Sequence, residues 1–177
     1  MLKIAITGPE SVGKSTLTKQ LSEHFRCKFV SEYARDYIES KNGIYNYQDV
    51  EFIAHKQMNQ YDHYNAIAES GYPIIFFDTF LMITKVWFTH VWNKQPEWLD
   101  EAIRNRPMDL YLLCAPDIPW EADKVRENGT IRDELFLQYK KELENYNQQY
   151  VVITGTGQQR FENCLLEIAK LGITIPS

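Results

Sequence analysis

Short, continuous apolar runs alternate along this chain with longer stretches in which apolar residues return every three or four positions. The runs are Leu2 to Ile6, the brief Lys28 to Ser31, Ile74 to Phe77 ending at Asp78, Leu110 to Cys114, and Tyr150 to Ile153. Each predicts a strand, and strands apolar on both faces belong in a parallel sheet buried on both sides. The helical stretches are Lys14 to about Phe25, Glu32 to Ser40, Tyr47 to Glu69, a region capped by Thr79 and running to about Trp92, Pro96 to Asn105, Ile131 to Gln148, and Arg160 to Leu171. In the third of these, Val50, Ile53, Ala54, Gln57 and Met58 keep the helical spacing. Residues 41–47, with Asn42, Gly43 and Asn46, form a loop; Gly71 and Pro73 punctuate before the third strand; Ala115 to Asn128 is mostly irregular. Strands separated by helices predict an α/β fold: a five-stranded parallel sheet with helices on both faces. Ligands in such sheets bind beyond the carboxyl ends of the strands. The polar residues there are Thr7 to Ser15, Glu32, Asp78, Pro116 to Arg132, and Thr154 to Gly157.

The first of these turns reads Gly8-Pro9-Glu10-Ser11-Val12-Gly13-Lys14-Ser15, a G-x-x-x-x-G-K-S loop between a predicted strand and a predicted helix. Its glycines let the backbone curl so that successive N–H groups, from Glu10, Ser11 and Val12 on to Thr16, point inward at phosphate oxygens. Lys14 adds a point charge beside the terminal phosphates, and the Ser15 hydroxyl is a ligand for Mg²⁺. The positive end of the helix dipole acts in the same direction. A glycine-rich turn with a stray lysine does not account for the flanking strand and helix.

Beyond the loop, each candidate has a plainer alternative. Asp78 ends the third strand, where an acid completes a Mg²⁺ shell or meets the substrate; otherwise it caps the next helix, although Thr79 can do that instead. Glu32 and Arg35 follow the second strand. Glu32 can take the proton of an acceptor hydroxyl and Arg35 can neutralise charge on a transferred phosphoryl group, or Glu32 and Asp36 are first-turn acids favoured by the helix dipole. Residues 117–132 hold Pro119 and Trp120, then acids, then Arg126 and Arg132, and read as a short lid that brings an arginine, Arg126 ahead of Arg132, to the phosphates. Trp120 stacks on a planar ring or lies in the core. Gly155 and Gly157 offer backbone on which a nucleotide base packs, or form an ordinary turn. Trp87, Phe88, Trp92 and Trp98 read as core or as a hydrophobic wall of an acceptor pocket.

Composition changes the picture only by exclusion. The 177 residues, 44% hydrophobic and 24% charged, suit one domain, 1–177, with a substantial core. A net charge of −5 without any block of lysine or arginine argues against a nucleic-acid partner. Cys27, Cys114 and Cys164 are too far apart for a metal site and read as small buried hydrophobes, and His24, His55, His63 and His90 share no metal spacing. The chain enters a strand at once and carries no membrane-length apolar stretch, so no membrane partner and a cytoplasmic location are expected.

A GTPase needs Asp-x-x-Gly after the third strand, but Asp78 is followed by Thr79, Phe80 and Leu81; Asn93-Lys94-Gln95-Pro96 fails as the guanine motif at its fourth position. The Ser-Gly-Gly signature of transporter ATPases is missing. A small phosphotransferase remains, positioning ATP, Mg²⁺ and an acceptor hydroxyl in line.

The Gly-Pro-Glu-Ser-x-Gly-Lys-Ser loop, Glu32-Tyr33-Ala34-Arg35, Phe77-Asp78-Thr79, and Asp117-Ile118-Pro119-Trp120 through Asp123 and Arg126 resemble, in order and over essentially the whole chain, the nicotinamide riboside kinase domain of bacterial NadR proteins and similar stand-alone P-loop proteins. The resemblance implies a P-loop NTPase fold like that of nucleoside and nucleoside-monophosphate kinases. It also implies ATP-dependent phosphorylation of the nicotinamide riboside 5′-hydroxyl, giving nicotinamide mononucleotide in NAD salvage. By position, Lys14 and Ser15 would hold phosphates and Mg²⁺, Asp78 would sit by metal or acceptor, and Arg126 would be the lid arginine. Trp120 and Tyr33 would pack on the nicotinamide ring, with Glu32, Arg35 and Asp123 beside the substrate. Two departures stand out: the family's Asp-Thr-Asp ends here in Phe80, and Lys124 stands where glycine is frequent. If the second acid binds the ribose, Phe80 removes an acceptor, which leaves open a kinase for another small acceptor or an ATP-binding regulator with weak ATPase activity. The chain has no room for the other NadR domains, so the kinase step alone is expected.

Overall fold

The computed structural model describes residues 1–67, 73–120 and 131–172. The apolar runs become strands β1 (Leu2–Thr7), β2 (Phe29–Val30), β3 (Ile74–Asp78), β4 (Leu110–Cys114) and β5 (Tyr150–Ile153). Between and after them lie helices α1 (Lys14–His24), α2 (Tyr33–Ser40), α3 (Tyr47–Ala66), α4 (Leu81–Trp92), α5 (Trp98–Arg104), α6 (Arg132–Asn145) and α7 (Gly157–Ala169). The strands form one parallel sheet in the order β2-β3-β1-β4-β5, with Ile6 opposite Asp78 on one side of β1 and Thr7 opposite Leu113 on the other.

Alternation along each central strand feeds two separate cores. Ile4 and Ile6, Ile74 and Phe76, and Leu110 and Leu112 pack with Leu17 and Leu21 of α1, Phe25 just after it, and Cys164 and Ile168 of α7. Ala5, Ile75, Phe77, Tyr111 and Leu113 face the opposite way, onto α3, α4, α5 and α6. Every residue of β3 and β4 is buried, which is why their sequences read as unbroken apolar runs rather than alternating ones. Burying such side chains contributes about 1.5–3 kcal/mol each. Cys114 and Cys164 are buried among these hydrophobes and Cys27 is half-buried; none is disulfide-bonded.

Several boundaries differ from the sequence expectation, with physical reasons. Helix α4 begins at Leu81, not at Thr79. Thr79 adopts a left-handed φ of 68°, away from the extended backbone from which a threonine side chain caps a helix, and Phe80 takes the extended N-cap position without any side-chain bond. Helix α7 starts three residues ahead of Arg160, because Gly155 turns with φ 92° and extended Thr156 then launches the helix through polar residues. Helix α5 is shorter than Pro96 to Asn105, and α6 is shorter than Ile131 to Gln148. Helix α3 is closed by a capping box in which Asn46 accepts from the Asp49 N–H at 3.1 Å and Asp49 accepts from the Asn46 N–H at 2.9 Å.

Candidate active site

The loop between β1 and α1 curls because two of its positions demand glycine. Gly8 has φ 134°, and a Cβ there would lie 2.7 Å from the Cys114 carbonyl oxygen of β4. Gly13, at φ 75°, holds the N-cap position of α1 but has no side chain to bond there, which leaves the first N–H groups of that helix for an anion. Ser11, at φ 55°, supplies a further left-handed turn of the kind that makes an anion nest. Lys14 Nζ donates to the carbonyls of Gly8 at 3.1 Å and Pro9 at 2.7 Å.

This loop forms part of the wall of a cavity of about 510 Å³. Gly8 through Thr16 line it, so the structure brings Gly8, Glu10, Ser11, Val12, Gly13, Lys14, Ser15 and Thr16 together with Glu32, Arg35 and Asp78. Lys19 also faces the cavity. Glu32 stands at the N-cap position of α2 but makes no capping bond, so the helix does not use its carboxylate. Burial pushes the Glu32 carboxyl up to about 7, with Lys14 and Arg35 opposing the rise and Asp78 adding to it. Asp78 is 4% exposed, and the helix-cap reading of it fails, since Phe80 holds that place. Burial raises its carboxyl too, against a Ser15 hydroxyl bond and the charge of Lys14. Asp78 Oδ1 makes no hydrogen bond among the described residues. A buried orphan carboxylate oxygen beside a hydroxyl fits Mg²⁺, which takes one or two protein oxygens and fills its octahedron with phosphate and water. Arg35 Nε pairs with Glu39 at 3.0 Å.

Much of the remaining lining is apolar and aromatic: Tyr45, Ile83, Val86, Trp87, His90 and Tyr139. Tyr45 and Trp87 meet edge to face, with centroids 4.8 Å apart. Trp87 is thus the wall residue, while Phe88 is fully buried and Trp92 and Trp98 are half-buried against the core. Sequence reasoning missed Tyr45, His90 and Tyr139, whose types carry no motif and which converge only through the fold.

Other expected site residues lie elsewhere. Tyr33 packs on Tyr37 and Phe52, outside the cavity lining. Trp120 is 37% exposed and does not line the cavity. Gly155 and Gly157 also stand apart from it, and both backbone polar groups of Gly155 are taken: its N–H by Asp117 at 2.7 Å, its carbonyl by Arg160 at 2.7 Å. Asp123 and Arg126 lie outside the described residues. Arg132 is no phosphate-facing lid arginine; it donates to the carbonyls of Ser11 and Ile118 at 3.2 and 2.8 Å. Phe80 does not line the cavity: it is 1% exposed and stacks on Tyr61 at 5.3 Å.

Comparison with known proteins identifies the fold and the family. An AAA domain family, AAA_28, matches residues 3–160. The chain is 28% identical over 169 residues to the trifunctional NAD biosynthesis/regulator protein NadR of Escherichia coli (strain K12), a match covering 92% of this chain and 40% of that protein. A crystal structure of NadR protein in complex with NR matches with a TM-score of 0.81 at 21% identity, covering 99% of this chain and 51% of the other. A deoxyadenosine kinase from M. mycoides matches with a TM-score of 0.68 at 13% identity, covering 97% of this chain and all of that one (100%). The chain thus spans about half the length of the NadR proteins it matches, or less. These likenesses show the P-loop fold shared with NadR and nucleoside kinases, and the match over most of the length makes the chain a member of the AAA_28 family of AAA domains.

Proposed function

We propose that this chain is an ATP- and Mg²⁺-dependent kinase that phosphorylates a nucleoside 5′-hydroxyl, with nicotinamide riboside, yielding nicotinamide mononucleotide, as the first candidate acceptor. The observation that carries this is a single cavity lined by the phosphate loop, by two carboxylates, Glu32 and Asp78, and by aromatic and apolar side chains suited to a flat base. Residues 1–177 act as one kinase unit, with a lid at about 117–132 that includes Asp123 and Arg126.

In this reading the loop N–H groups and Lys14 bind and orient the phosphates, Ser15 and Asp78 hold Mg²⁺, and Glu32 accepts the hydroxyl proton. Bound Mg²⁺ offsets charge on the phosphates. A carboxyl raised to about 7 is well matched to general-base work near neutral pH. Arg35 and Arg126 neutralise charge on the transferring phosphoryl group, and Tyr45 and Trp87 take the base. The similarity to NadR, whose solved structure holds NR, supports nicotinamide riboside over other acceptors.

A panel of nucleosides with ATP and Mg²⁺ tests the reading. Turnover is expected with nicotinamide riboside and loss of at least a hundredfold in Lys14→Ala, roughly the effect of removing one charge-stabilising group. Brisk turnover of a different nucleoside beside none of nicotinamide riboside ends the specific assignment, and ATP hydrolysis without transfer to any acceptor ends the kinase assignment.

A further inference from the structure

A loop that turns its N–H groups inward turns its carbonyls outward, and those buried acceptors need donors of their own. Here cations supply them. Arg160 Nη1 donates to the Val12 carbonyl at 2.6 Å, and Arg132 Nη1 donates to the Ser11 carbonyl at 3.2 Å. We propose that Arg160 and Arg132 are positioning residues that hold the phosphate loop from behind and strengthen its grip on an anion through the peptide planes, without touching the anion. The proposal rests on the reading of the loop as the polyphosphate site.

Peptide units are planar and trans, so each N–H points opposite the carbonyl of its own unit. The N–H across from the Val12 carbonyl is that of Gly13; the one across from the Ser11 carbonyl is that of Val12. Both residues line the cavity. A guanidinium on the carbonyl oxygen draws electron density from the nitrogen and makes the opposed N–H a stronger donor, the polarising effect of a hydrogen-bond chain in a low-dielectric interior. It also fixes the peptide plane, so donors are aimed before the anion arrives.

Both arginines are themselves held from several sides. Arg160, 3% exposed, donates to the Gly155 carbonyl at 2.7 Å, to the Ala115 carbonyl at 3.0 Å and to the Asp117 carboxylate, whose other oxygen accepts the Gly155 N–H. Arg132 donates to the Ile118 carbonyl at 2.8 Å and the Pro116 carbonyl at 3.4 Å. Each sits in the first turn of its helix, where the dipole disfavours a cation. A plain solvating role gives no reason for that placement. The neighbouring Asp117 also neutralises much of the Arg160 charge at a distance, so its influence passes mainly through the direct bond.

The test uses Arg160→Gln, Arg160→Lys and Arg132→Gln in the full chain. Calorimetry reads the affinity for ATP and for inorganic triphosphate with Mg²⁺, and NMR reads the Gly13 and Val12 amide protons in the ligand-free protein. Arg160→Gln should weaken ATP and triphosphate by the same factor, roughly tenfold, because the effect falls on the phosphates alone. Arg132→Gln, with its longer bond, should weaken both by roughly threefold, and Arg160→Lys should fall between wild type and Arg160→Gln. The Gly13 amide proton should move upfield in Arg160→Gln and the Val12 proton in Arg132→Gln. If Arg160→Gln does not fold, Arg160→Lys and Arg132→Gln decide. Unchanged triphosphate affinity in the folded variants, or Gly13 and Val12 amide protons that stay in place, would overturn the proposal. A wild-type protein that binds neither ATP nor triphosphate defeats the polyphosphate reading instead, and the two amide shifts still judge the arginines.

Discussion

Two side chains, half-buried Glu32 and fully buried Phe80, decide how the site responds to change. Glu32 titrates near 7 instead of its ordinary 4.5, because burial penalises its charged form. The folded protein therefore holds a proton that the unfolded chain has released. Stability from this group is complete below about 4.5 and lost as pH rises to about 7. Glu32→Gln should leave stability little changed at pH 5 and raise it by roughly 1–3 kcal/mol at pH 8, read from urea midpoints. Activity should move the other way: in wild type kcat/KM rises through pH 7 as Glu32 ionises, and the variant loses that limb and most of its rate. A variant no more stable than wild type at pH 8 contradicts the desolvation of this carboxyl. Phe80 behaves differently. Because its ring lies in the core against Tyr61 and Phe77, Phe80→Asp inserts an unpaired carboxylate there and should destabilise by about 3–5 kcal/mol in urea denaturation, with no gain in nicotinamide riboside turnover. A variant as stable as wild type would place the ring outside the core.

At the level of elements, the close approach of the loop to β4 sets the tolerance. Gly8→Ala puts a methyl group against the Cys114 carbonyl, a rigid backbone atom. Either the loop lifts or the strand shifts, and ATP affinity should fall by at least about tenfold with about 2 kcal/mol of stability. An unchanged thermal midpoint and affinity would show that the strand yields freely. Elements were also where the sequence was most legible. All five strands and the succession of helices could be read from Ile74-Ile75-Phe76-Phe77 and its counterparts, since burial on both faces leaves an unbroken apolar run. The errors came where backbone geometry overrides composition. Thr79 has the chemistry of a helix cap but a φ away from the extended backbone that such capping uses, and the polar residues 157–159 look like loop because the first turn of α7 packs little.

For the whole molecule, the phosphate loop was legible and the aromatic wall was not. The loop is a contiguous motif with a fixed spacing, so its chemistry survives reading in one dimension. Tyr45, Trp87, His90 and Tyr139 come from a loop and two helices and meet only when the sheet brings those elements together. Arg160 left one legible trace, a cation in the first turn of a helix, which ordinary dipole preferences disfavour. A ligand that binds only the folded state should also report on the intact molecule. ATP with Mg²⁺ at a hundred times its Kd adds about 2.7 kcal/mol and should raise the thermal midpoint by about 5–10 °C, an effect that Lys14→Ala abolishes. No shift in wild type would count against the donor site.

The strand order has a consequence for how such a protein changes its diet. Apart from the phosphate loop with its helix, and Leu135 and Tyr139, every residue facing the cavity falls between positions 29 and 91. On the proposed reading, the loop that grips the donor and most of the wall that meets the recipient are written in successive stretches of the gene, with Glu32, Arg35 and Asp78 set into the second. Recoding that second stretch around those three residues would then retune the guest while the engine that handles triphosphate stays as it is.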